Sequence, residues 1–176
     1  MFRDNSLIPA EAIRLAALGL LAEAERRYGD LAGEIRHFTS RIVGPSLDLM
    51  GTSLELLRYE GLIEAVGGQG MSDNPTLRLT EHGRDALANL LKAQLRSPMS
   101  DMNRLALMLK LRFLHHLPRE LRHSQLALMA ESLDSERIRL DELRQRTEPS
   151  LFRDWLDHDI ATVESRIAWL NSRDHA

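Results

Sequence analysis

The sequence predicts a mostly α protein with a small β-wing, and three observations carry that prediction. Ser46 to Gly83 read as helix, strand, glycine-rich loop, strand and the start of a further helix. Apolar residues elsewhere recur at three- and four-residue spacing, the signature of helices buried on one face. The second half carries apolar stripes but no alternating strand pattern.

Each element follows from local chemistry. The first helix opens at Pro9 and Ala10, because proline at the first helical position loses no hydrogen bond. Ile13, Ala16, Ala17, Leu20, Leu21 and Ala24 then form a stripe of small and medium side chains suited to close packing. A short second helix is predicted from about Gly29 to Phe38, with Leu31, Ile35 and Phe38 inward and Arg41 to Pro45 as the turn that follows. In the third helix Leu47, Met50, Leu54 and Leu57 face the core, and Gly61 supplies the positive φ of a C-terminal cap. Leu62 to Val66 and Thr76 to Leu79 are predicted strands, joined by GGQGMSDNP. Thr80 is the predicted N-cap of an amphipathic helix through Ala86, Leu87, Leu90 and Leu91. Three helices followed by two strands and a long turn make a winged helix-turn-helix.

After Ser97-Pro98 the chain reads as helices alone. Met99 to His116 forms one, ended by Leu117-Pro118, since a residue before proline is pushed out of the helical region. Arg119 to Arg146 forms the next, with Leu126, Met129, Leu133, Leu140 and Leu143 at heptad seam positions and Glu136 as the polar seam residue. After Glu148-Pro149-Ser150 the last helix spaces Phe152, Leu156, Ile160, Val163, Ile167 and Leu170 as a packing seam, flanked by Trp155 and Trp169. Such stripes exceed what three helices bury among themselves, so a homodimer is expected, with those six residues as its interface. The alternative is an intramolecular three-helix bundle packed on the winged helix.

Composition narrows the function classes. The 176 residues are 43% apolar, and no apolar run approaches the ~20 residues a bilayer requires. With no signal-peptide pattern, a cytoplasmic protein is expected. Zero cysteines exclude disulfides, thiolate catalysis and cysteine zinc sites. The net charge is −3, and acidic residues outnumber basic ones on both sides of Arg96, so attraction to nucleic acid has to come from local placement.

Several of these motifs together resemble the PadR family of transcriptional regulators: LGLLAE at Leu18 to Glu23, Tyr28-Gly29 with Leu31, LELLRYEGLIE at Leu54 to Glu64, LRLTEHGRDAL at Leu77 to Leu87, and VESRIAWLNS at Val163 to Ser172. The resemblance implies a homodimeric DNA-binding regulator, often a repressor, whose C-terminal helices hold the dimer and sense a small-molecule effector. It divides the chain into a winged-helix DNA-binding domain, residues 1–96, and an α-helical dimerisation domain, residues 97–176. The chain departs from the family pattern at Leu49 and Gly51, where a threonine and a tyrosine are usual, and at Asn74 to Leu77, where the wing lacks cations.

The expected DNA face comprises Arg36, Arg41, Ser46, Leu49, Thr52, Ser53, Arg58 and Arg78. The arginines suit phosphates, the hydroxyls suit bases or backbone, and Leu49 suits a thymine methyl. His115, His116 and His123 lack the spacing of a metal site, and the step Asp157-His158-Asp159 lacks a nucleophile, so neither metal, cofactor nor catalysis is expected. The alternative to DNA binding is a winged-helix protein-interaction module docking through Leu49 and Leu56.

Overall fold

The structure is a computed structural model that describes residues 9–43, 50–66, 74–95 and 101–173. The elements are α1 (Pro9–Glu23), β1 (Arg26–Arg27), α2 (Tyr28–Val43), α3 (Met50–Tyr59), β2 (Ile63–Ala65), β3 (Thr76–Leu79), α4 (Glu81–Lys92), α5 (Asp101–Phe113), α6 (Arg119–Gln145) and α7 (Leu151–Ser172), with a 3-10 turn at Leu114–His116.

Helix α1 is the hub. Ala12, Leu15 and Leu18 are as fully buried as the predicted stripe of Ile13, Ala16, Ala17, Leu20 and Leu21, whereas Ala24 lies exposed past the helix end. A one-sided stripe was expected, but α2, α3, α4, α5 and β3 surround α1 and cover every face. Each leucine so buried contributes about 1.5–3 kcal/mol. Gly19 is where α5 comes closest: a Cβ there would stand 2.5 Å from the Phe113 ring.

The sheet has three antiparallel strands in the order β1-β3-β2, with Arg26 opposite Leu77 and Ile63 opposite Leu79. The predicted hairpin is there, and β1 adds a third strand that a two-residue segment gives no periodicity to announce. Asn74, at φ 49°, accepts a 2.7 Å hydrogen bond from the Gly29 amide, tying the wing to the start of α2. Gly61 has φ 70°, as its capping role requires. Thr80 caps α4 by accepting from the Gly83 amide at 3.0 Å, and its hydroxyl donates to the Gly61 carbonyl at 2.7 Å.

Helix α2 outruns its prediction, continuing through Arg41 to Val43 rather than turning after Phe38. Thr39 is buried there and donates to the Ile35 carbonyl, which removes the cost of a polar side chain on the packed face. Helix α5 lays Leu105, Leu109 and Phe113 into the core shared with α1 and α2. Arg112 reinforces that contact, pairing with Glu34 of α2 at 3.0 Å and lying over the Phe38 ring. Beyond it, α6 and α7 form an antiparallel hairpin, with Ser150 capping α7 through the Arg153 amide.

Candidate nucleic-acid interface

In the described part of α3, Leu54 and Leu57 are completely buried, which leaves Glu55, Leu56 and Tyr59 facing solvent and Arg58 half-buried. Arg58 also stands in the last turn, where a cation complements the helix dipole. Arg36 and Arg41 are exposed on α2, with Arg41 in its final turn and nine residues ahead of the first residue of α3. Among the described residues no carboxylate pairs with Arg36, Arg41 or Arg58, so their charge is available to a phosphate.

Arg78 differs from these three. It sits on β3 opposite Glu64 of β2 and pairs with it at 2.7 Å. The Glu64 hydrogen bond and charge raise the Arg78 pKa. The charge of this strand pair is thus largely balanced within the wing. Ser46 and Leu49 lie outside the described residues, and the side chains of Thr52 and Ser53 are likewise outside them.

The predicted seam of α7 is divided by the fold. Leu156, Val163 and Leu170, seven residues apart, are buried within the protomer, where α7 packs along α6. Ile160 and Ile167 are half-buried and Phe152 is exposed. Trp155 is 62% exposed and Trp169 48%. On α6, Leu140 is half-buried and Leu143 exposed, so the predicted heptad seam is packed only over its first half. Glu136 is taken up by Arg139 on the same helix, and Asp157 by Arg144 across the hairpin.

One group escaped sequence reading. Lys110 is 1% exposed and donates to the Ala93 carbonyl at the end of α4 and to Gln125 Oε1 of α6 at 3.0 Å. Burial pushes its pKa down to about 8. A signal was present: Lys110 follows Ala106 by four residues and precedes Phe113 by three, so it belongs to the apolar stripe of α5. The rings of His115 and His116, read in the sequence only as unsuited to a metal, lie with centroids 4.2 Å apart and planes tilted by 38°, and burial, then the His115 charge, holds His116 below the ordinary histidine pKa. Among the described residues no cluster of histidine, aspartate and glutamate is arranged to hold a metal, and no helix is long and apolar enough to cross a membrane.

The chain is similar in structure to Bacillus subtilis PadR in complex with p-coumaric acid, with a TM-score of 0.43 at 18% identity over 96% of this chain and 97% of the other. It is also similar to smu.1604c of Streptococcus mutans UA159, with a TM-score of 0.38 at 19% identity over 93% and 98% of the two chains. No curated protein sequence matches it. The family model described as putative AphA-like transcriptional regulator matches residues 2–173, nearly the whole chain. This protein belongs to the AphA-like transcriptional regulators.

Proposed function

We propose that the chain is a homodimeric, sequence-specific DNA-binding regulator, a repressor, with residues 1–96 as the reading unit and 97–176 as the dimerising unit. The observation that carries this is the pairing of an α3 unit flanked by Arg36, Arg41 and Arg58, which no described carboxylate holds, with an arm that leaves Phe152, Trp155 and Trp169 uncovered. In this reading Ser46, Leu49, Thr52 and Ser53 meet base edges, and Arg36, Arg41 and Arg58 hold phosphates. Arg78 contributes less, because Glu64 screens it. A second arm covers Phe152, Ile160 and Ile167, and a symmetric pair sets two α3 helices about 34 Å apart, one turn of duplex.

A second reading has an observation of its own. Leu56 is 48% exposed and Tyr59 91% on the α3 face, the apolar strip of a protein-docking module. Titration of the chain against a duplex selected from a random pool and against its scrambled counterpart, at one salt concentration, separates the two. Preference for the selected duplex by a thousandfold or more is expected of a specific regulator. Equal affinity for both duplexes would replace it with the protein-docking module.

A further inference from the structure

Several arginines of this chain hold a carboxylate: Arg14 holds Glu60, Arg26 and Arg112 share Glu34, and Arg78 holds Glu64. One cleft gathers arginines that do not. It lies where the end of α5, the 3-10 turn, the start of α6 and the end of α7 meet, and its volume is about 410 Å³. Arg119, Arg122 and Arg173 line it together with His115 and His123, and among the described residues no acidic one does. Among the described residues no carboxylate pairs with any of these three arginines. The Arg122 Nε is shut away from solvent and has no hydrogen-bond partner among the described residues, an unfavourable state for a charged group.

The rest of that cleft is apolar, formed by Leu111, Leu114, Leu126 and Trp169. Leu111 and Trp169 also line a neighbouring cleft of about 210 Å³ that continues past Met108, Leu107 and Leu133, with exposed Arg104 and Arg166 at its edge. The two clefts therefore form one trough, cationic at the first and apolar beyond it. Arg173 already lies over the Trp169 ring at 5.2 Å, which leaves the trough better suited to a chain than to a stacked aromatic.

We propose that this trough binds an amphipathic carboxylate with an unbranched alkyl body, its head on Arg122 and Arg119 and its chain running past Trp169 toward Met108. The head pairs with the Arg119 and Arg122 guanidinium groups, which no described carboxylate holds, and the chain removes apolar wall from water. The opposite face of α5 is fixed to α1 and α2 through Leu109 and Phe113, so an occupant wedged between α5 and α7 bears on how the arm is carried. That consequence for DNA rests on the proposed function; the binding does not.

The test is calorimetric titration of the full chain with decanoate below its micelle concentration. One saturable site per chain is expected, with decanol and acetate, each lacking one half of the ligand, at least tenfold weaker. Affinity should climb from hexanoate to decanoate as the second cleft fills. Arg122→Gln should cost tenfold or more without lowering the thermal midpoint of the ligand-free protein, and Met108→Trp should abolish the gain from longer chains. Decanol binding as well as decanoate, unsaturable uptake, or a flat chain-length series in the unmodified chain would each overturn the proposal. DNA affinity measured with and without decanoate is a separate reading: failure to bind any duplex removes the proposed function and leaves the carboxylate site standing.

Discussion

The winged-helix unit and the α6–α7 arm place their apolar side chains differently. In the first, α1 is covered on all sides and its ion pairs join distant elements, as Arg14 joins α1 to Glu60 and Arg112 joins α5 to α2. In the arm, two helices cover one another along a single stripe, and most ion pairs are local, as between Asp134 and Arg137. Ile138, Leu143, Phe152, Trp155 and Trp169 remain in water. A unit that closes around a central helix completes its own core, whereas the arm, packed on α4 and α5 at one end only, leaves apolar side chains in water that the proposed second protomer would cover.

The largest expected effect tests the arm. Replacing Phe152 and Trp155 together with Glu should weaken dimerisation by a thousandfold or more, since burial of each aromatic side chain is worth about 1.5–3 kcal/mol or more. The protomer should stay folded, because Leu156, Val163 and Leu170 are untouched. Sedimentation and circular dichroism check both halves, and a folded variant that remains dimeric moves the interface elsewhere.

The closed unit is broken from within by Gly83→Ala. A Cβ at this position would overlap the Leu62 carbonyl and the Leu79 side chain, so about 3 kcal/mol or more should be lost. Denaturant unfolding should show the loss, and a change within 0.5 kcal/mol would mean that the α4 start shifts freely. Val163→Asp offers the matched lesion in the arm, and comparing the two tells whether the regions unfold together.

Lys110 stands where the two regions join, bonded to α4 and to α6. Its pKa is about 8 when folded against 10.5 for the ordinary side chain. Between those values the unfolded chain binds more protons, so stability should rise with pH across that window by up to about 3 kcal/mol and be lowest below pH 8. Lys110→Met should erase this rise. A slope unchanged in the variant would assign it to other groups.

The smallest effect concerns the reading face. Arg41→Ala should weaken binding to all duplexes alike and reduce the salt dependence by about one unit of slope, as for one lost phosphate contact. Relaxation at a single base position instead would show that Arg41 reads sequence.

Of the candidate site, the sequence made legible the positions that local chemistry controls. Thr80 was readable as a cap, because threonine before an amphipathic run satisfies free amides, and Gly61 because a helix end needs positive φ there. The division of Arg78 from Arg41 was not legible, since it depends on Glu64 lying opposite across a sheet whose register spans fourteen residues.

By itself, then, the sequence determined the helices, the hairpin strands and the order of the winged unit, because helical periodicity, capping and turn residues act over a few neighbours. Tertiary structure decided which faces were used. It buried α1 on every side, added β1 to the sheet, drew Lys110 into the junction, and split the α7 seam between an intramolecular stripe at Leu156, Val163 and Leu170 and residues left open beside it. An apolar stripe states that a face must be covered; what covers it depends on contacts between segments far apart in the chain.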